Sequence, residues 1–322
     1  MPTAARPAVW AIPLAFATVY LAYGLNYLAI AIGDQTLPPF LFAGAHVTLA
    51  GLLLFAWVVV RREPIAVSLP NIGWAALGGI IVFVGGTGLV TAGQKEGVHS
   101  GMASLLRATT PIWLALFEWL RPRGERLSSR AWLGISVAIA GLVLVLAPSF
   151  EAAPDPSKDI GLLLVMGSAL SWALGALVLR HRRPTPSNTL ATAYQMTLGG
   201  LAMIGVGLAL GEPRAFAAAE LTWEALGAFA FLLIVHSLIG FSALNWLLRH
   251  VSAPLALTKF YVSPAVAVAV GALILHEQIT GVMLGGMALI LGGVIFALMS
   301  TERQAGSEPD PPTKTEELAP SK

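Results

Sequence analysis

The feature that most constrains this chain is a succession of long apolar runs. Ten of them can be marked, at approximately 9–32, 38–60, 72–94, 99–120, 130–148, 159–180, 188–211, 223–248, 252–275 and 279–300. Each is close to the roughly 20 residues that a helix needs to cross a hydrocarbon core of about 30 Å. The breaks carry turn and charge signals such as Gly33-Asp34, Arg61-Arg62-Glu63-Pro64, Lys95-Glu96-Gly97 and Gly211-Glu212-Pro213. Composition agrees. Only 11% of the 322 residues are charged and 56% are apolar, whereas soluble domains are about 25% charged. So few charges cannot cover a water-exposed surface. The expected fold is an all-α integral membrane protein of ten transmembrane helices, solvated mainly by lipid.

Other classes fall away on the same grounds. The net charge is +2, too small for a nucleic-acid binder, and no nucleic-acid partner is expected. Cysteine is absent, so there is no disulfide framework, thiol nucleophile or cysteine-ligated zinc. His276-Glu277-Gln278-Ile279-Thr280 begins like a zinc-protease motif but lacks its second histidine. No phosphate-binding glycine loop of the P-loop or dinucleotide type occurs. Neither a metal, a cofactor nor an enzyme activity is expected. A membrane enzyme or scaffold stays as a remote alternative.

Lysine and arginine sort strongly by side. Fourteen lie in loops on the N-terminal side and the tail, three lie opposite (Lys95, Lys158, Arg214), and two, Arg107 and Lys259, fall inside runs. The positive-inside rule then places both termini in the cytoplasm of a multi-pass inner-membrane protein. The tail from Thr301 is polar and proline-rich and is expected to be disordered.

An internal repeat is visible at an ungapped offset of 152. Gly88 meets Gly240, Ser100 meets Ser252, Arg107 meets Lys259, Glu125 meets Glu277, and Gly134 meets Gly286. Each half has five runs, an odd number, so the second half enters the bilayer inverted. The expected organisation is a five-helix repeat over 1–152, an inverted one over 153–300, and a tail over 301–322. Inverted repeats are a transporter signature, because two similar halves can exchange roles around a midplane site.

Ala103-Ser104-Leu105-Leu106-Arg107-Ala108-Thr109-Thr110-Pro111, then Gly124-Glu125-Arg126-Leu127, then Gly134 and Gly141, resemble the EamA-type module of the drug/metabolite transporter superfamily. The second copy is similar through Ala243 to Trp246, Ser252 to Ala256, Ser263-Pro264, Leu275 to Thr280, Gly285-Gly286 and Gly292-Gly293. The resemblance implies a ten-helix inner-membrane carrier with a central cavity lined largely by runs 1, 3, 4, 6, 8 and 9. Among bacterial members it is similar to amino-acid exporters, including the aromatic amino-acid branch. Small multidrug relatives carry a buried acid in their first helix, but run 1 here holds none and run 6 none beyond Asp159 at its boundary. This speaks against exchange of cationic drugs for protons by that route. Lipophilic drugs and sugar-nucleotides remain alternative cargoes. Uniport and proton antiport both remain open.

An ionisable residue inside a span is a functional hypothesis. Arg107 and Lys259 lie about 10–12 Å along their helices, near mid-depth. As repeat equivalents they are expected on opposite sides of one cavity, where either could hold a substrate carboxylate. Backbone pairing or snorkelling is the structural alternative. Glu118 sits beside the basic cluster at Arg121 and reads as an interfacial partner. Tyr20, Tyr23 and Tyr27 form an i, i+3, i+7 stripe in run 1 with Asn26 beside it, and Trp172 is the repeat equivalent of Tyr20. Together they are candidate aromatic walls. Thr91 and Asn245 are candidate polar groups of the cavity. His46 and His236 are candidate proton-sensing residues, or satisfied buried histidines. Pro111 and Pro264 are candidate hinges, each preceded by a hydroxyl residue. Glu125 and Glu277, at opposite membrane faces in the same repeat position, are each expected to cap a helix start. Gly281, Gly285 and Gly292-Gly293 predict a close helix contact, either within the chain or between subunits. A small-molecule substrate and the lipid bilayer are the expected partners, with a monomer and a homodimer both open.

Overall fold

The computed structural model describes residues 10–65, 67–122, 127–151, 155–181, 187–251, 255 and 258–305. Every regular element among them is helical. In chain order these are α1 (Ala11–Gly24), α2 (Asn26–Gly33), α3 (Pro39–Val60), α4 (Leu69–Gly79), α5 (Leu89–Lys95), α6 (Ser100–Arg107), α7 (Thr110–Leu120) and α8 (Ser129–Glu151). There follow α9 (Pro156–His181), α10 (Asn188–Ala209), α11 (Glu212–Ala218), α12 (Trp223–Ala230), α13 (Phe241–His250), α14 (Lys259–Ile274) and α15 (Gly281–Ala305). Two π-helical segments, Ile80–Gly88 and Phe231–Gly240, join α4 to α5 and α12 to α13.

Six continuous stretches are long and apolar enough to cross a membrane: Ala11–Gly33, Pro39–Val60, Leu69–Lys95, Ser129–Pro148, Pro156–Arg180 and Trp223–Leu247. Helix α10 with α11, bent by 85°, makes a seventh. The sequence marks ten runs, and the shortfall has local causes. The run at 99–120 is divided into α6 and α7 by a break at Ala108-Thr109, just ahead of Pro111. Proline has no amide hydrogen to give, and its ring crowds the carbonyl four residues back, here that of Arg107. Among the described residues helix α14 has 16 residues, fewer than a full span, while α15 runs for 25, Gly281–Ala305.

Packing relies on small residues. Helix α3 lies along α10, and α8 lies along α15. A Cβ added at Gly51 would stand 2.5 Å from the Thr197 amide nitrogen, and one at Gly134 would stand 2.6 Å from the Gly293 carbonyl oxygen. Gly286 and Gly293 therefore supply the close contact expected of the last helix, and they supply it within the chain. Gly281 and Gly292 face open space, and Gly285 touches only Leu144. In each pair the two helices occupy corresponding places in the sequence repeat. The π-helical segments correspond as well, since the offset of 152 carries Gly88 onto Gly240. Large apolar side chains such as Leu53, Trp57, Leu133 and Val143 point outward, as a lipid-facing surface requires.

Candidate functional site

The helices enclose a central cavity of ≈ 320 Å³. Its wall is drawn from α1, α2, α3, α5, α6, α7, α9, α10, α13, α14 and both π-helical segments. Arg107 and Lys259 both line it, as do Tyr23, Asn26, Trp172, His46, His236 and Pro264. No Asp or Glu is found among the described lining residues.

Arg107 is the last residue of α6. Its Nη1 donates to the Gly86 carbonyl at 3.1 Å, the Ser168 carbonyl at 3.2 Å and Ser168 Oγ at 3.4 Å. The guanidinium carbon stands 4.8 Å from the Trp172 ring centroid. A cation is also favoured here because carbonyl ends gather at a helix C-terminus. Gly86 belongs to the first π-helical segment, so Arg107 ties that segment to α9. Lys259 is placed differently. It is the first residue of α14, where the helix dipole disfavours a cation. It is 7% exposed, and its Nζ lies 3.5 Å from the Tyr23 ring centroid and 4.8 Å from that of Phe260. Among the described residues none accepts a hydrogen bond from Nζ.

The histidines are held by carbonyls. His46 Nδ1 is 3.3 Å from the Phe42 oxygen, and His236 Nδ1 is 3.2 Å from the Ala22 oxygen. A carbonyl only accepts, so each neutral ring carries its proton on Nδ1. His236 also meets Tyr23 edge-on, at 4.8 Å between centroids.

Several sequence candidates lie off the wall. The tyrosine stripe divides between Tyr20 and Tyr23, both on α1, and not at the break at Leu25 that precedes α2. Tyr23 and Tyr27 line the cavity, while the Tyr20 hydroxyl sits 2.7 Å from Thr258 Oγ1. Thr91 is fully buried and donates to the Thr87 carbonyl within its own helical run. Asn245 is half-buried and is not a lining residue. Pro111 follows the α6–α7 break and lines a small cleft against α8 and α15, whereas helix α14 runs unbroken through Pro264. Small hydroxyls on the wall, Ser104, Thr110, Thr192, Ser237 and Ser263, were not singled out as cavity residues. In an apolar helix a hydroxyl bonded to its own backbone looks the same in sequence as one facing a cavity.

A belt of hydrogen bonds ties the helices together at one end. Glu277 accepts from the Ser100 amide at 2.7 Å and the Gly101 amide at 3.0 Å. Glu277 thus caps a helix start, that of α6 in the other half of the chain, while Thr280 Oγ1 caps the helix that follows it, accepting from Met283 N. His276, in left-handed backbone at φ 53°, turns the chain to make this reach. Its repeat partner Glu125 lies outside the described residues. Glu212 likewise caps α3, accepting from Phe40 N at 3.1 Å and Leu41 N at 2.8 Å. Gln94 donates to the Tyr27 carbonyl at 3.0 Å, and Lys95 Nζ donates to the Asp34 carbonyl. Asp34 itself is 3% exposed, and burial pushes its carboxyl well above the usual carboxylate range. The Lys95 ammonium opposes that rise and the Glu212 carboxylate adds to it. Toward the opposite end the wall reaches Leu179, Thr192 and Leu244. There Glu118 pairs with Arg121 at 3.0 Å and Arg180 at 3.4 Å, as its place beside the basic cluster suggests.

The model of the EamA-like transporter family matches residues 9–147 and 159–299 of this chain. The chain belongs to the EamA-like transporter family. It is therefore a multi-pass membrane transporter of the drug/metabolite transporter superfamily. It is 29% identical to a protein of Escherichia coli K12 named uncharacterized inner membrane transporter YedA, over 87% of both chains. It is 25% identical to the probable amino-acid metabolite efflux pump of Salmonella typhimurium LT2, covering 89% of this chain and 96% of that one. A solved crystal structure at 20% identity superposes with a TM-score of 0.61, covering 92% of this chain and 99% of the other. That likeness supports the fold alone.

Proposed function

We propose that this member of the EamA-like family is a secondary or facilitated exporter of amino acids, aromatic ones included. It works by alternating access between two inverted five-helix halves that together make ten spans. The observation that carries this reading is the free ammonium of Lys259 in a cavity that holds a second cation and no described acid. Two buried like charges repel each other, and each has left its hydration shell. An anionic or zwitterionic ligand relieves both costs. Its carboxylate docks on Lys259, and Arg107 sets the field from across the cavity. The ligand's side chain packs against the rings of Tyr23, Trp172 and Phe260.

With the basic loops in the cytoplasm, the belt of Glu277, Glu212, Gln94 and Lys95 lies at the periplasmic end. The cavity then loads from the cytoplasm and discharges once the belt parts. The test is counterflow of radiolabelled amino acids in proteoliposomes, with and without a pH gradient. Saturable exchange of one or more amino acids is expected. Failure of every amino acid to exchange overturns the substrate class.

A further inference from the structure

Run 1 holds no acid, and run 6 holds none beyond Asp159 at its boundary. Asp34 stands just past the end of run 1 and is nevertheless buried. It caps the C-terminus of α2, and its amide donates to the Ile30 carbonyl at 2.9 Å. The Phe42 ring packs so closely over Gly33 that an added Cβ would meet it at 2.2 Å, which shuts water out beside the Asp34 backbone. Both carboxyl oxygens, and Thr36 Oγ1 two residues on, are buried without a hydrogen-bond partner. Lys95 does not relieve this, because its ammonium donates to the Asp34 main-chain carbonyl. Glu212, the other charged group facing Asp34, has both of its oxygens occupied by the α3 amides. Glu96, His99 and Glu224 on the surrounding elements are exposed, and Arg107, Lys259, His46 and His236 line the cavity.

An ionised carboxylate with no donor and no water is expensive to keep buried, and such a group stays protonated instead. We infer that Asp34 is a proton-binding site that latches this end of the transporter: protonated, it stays buried and the end stays closed; ionised, it draws water and the end opens. The sign follows directly. A carboxyl whose proton affinity is raised in the closed form favours that form at low pH. It loses that contribution as pH rises through its closed-state value. The inference deepens the transport reading, and it rests on that reading only for what opening accomplishes.

The absence of native cysteine makes a spin-label measurement clean. Cysteines replacing exposed Gln35 and Gly281 are labelled in the full chain in nanodiscs, and pulsed electron resonance reads their separation across a pH series with no substrate present. One short distance is expected in acid, with a longer population growing as pH rises. Asp34→Asn, a mimic of the protonated acid, should hold the short distance throughout. Lys95→Gln removes the cation that favours ionisation and should move the transition to higher pH. Glu212→Gln keeps a capping oxygen but removes a negative charge, and should move it lower. A pH-independent wild type, an Asp34→Asn variant that still responds, or neighbour variants that shift in the same direction would overturn the latch. A response to sodium in place of protons would overturn it too. Because no substrate is used, failure here is distinguishable from failure of amino-acid exchange.

Discussion

Arg107 and Lys259 occupy the same position in the internal repeat and meet opposite fates. Arg107 ends a helix, where carbonyls converge, and its guanidinium is spoken for by Gly86 and Ser168. Lys259 begins a helix, where amides converge, and among the described residues its ammonium meets the ring faces of Tyr23 and Phe260 and no acceptor. A repeat in sequence therefore places two charges in one cavity without giving them one job. The first cation bonds to the wall, and in the function proposed above the second serves the ligand.

Substitutions can break this contrast. The largest effect is expected at Lys259. Lys259→Gln should leave the fold intact and weaken half-saturation in counterflow about ten- to hundredfold, the loss of a charge-assisted hydrogen bond of about 1.5–3 kcal/mol. Unchanged transport would remove the carboxylate assignment. Arg107→Ala should instead lower thermal stability by about 1–3 kcal/mol, because buried carbonyls at Gly86 and Ser168 lose their donor. Arg107→Lys should recover only part of this, since one ammonium cannot reproduce the planar fork. A stable Arg107→Ala protein with weakened substrate binding would reverse the two assignments. Next comes the end that the belt ties. An added Cβ at Gly271 would stand 2.5 Å from Glu277 Oε2. Gly271→Ala should therefore dislodge Glu277 from α6 and speed labelling of a Thr87→Cys reporter from that end, with Glu277→Gln acting more weakly. The smallest effect is expected at Trp172→Phe, which keeps a ring but a poorer cation partner. A loss of about 0.5–1 kcal/mol is anticipated, read as a small fall in melting temperature.

Much of the fold was legible before any coordinates. Run length and charge placement marked the helical stretches, and the offset of 152 paired Arg107 with Lys259 and Gly134 with Gly286. The wall was partly legible through Tyr23, Asn26 and Trp172. Tyr20 was not separable from Tyr23, because both stand on α1 and what occupies the Tyr20 hydroxyl is Thr258, 238 residues away in sequence. Asp34 read as a turn residue, since a Gly-Asp pair after an apolar run is ordinary loop chemistry. Its burial depends on Phe42, eight residues away and folded back over Gly33.

The sequence by itself determined the solvent, the helical class and the presence of two intramembrane cations. These follow from local composition and spacing, which the bilayer constrains residue by residue. Tertiary structure alone decided which cation is paired, which acid is buried and which glutamate ties the helices at one end. Glu277 meets the Ser100 amide across 177 residues of chain. Contacts of that reach arise from how helices pack, and no local pattern specifies them.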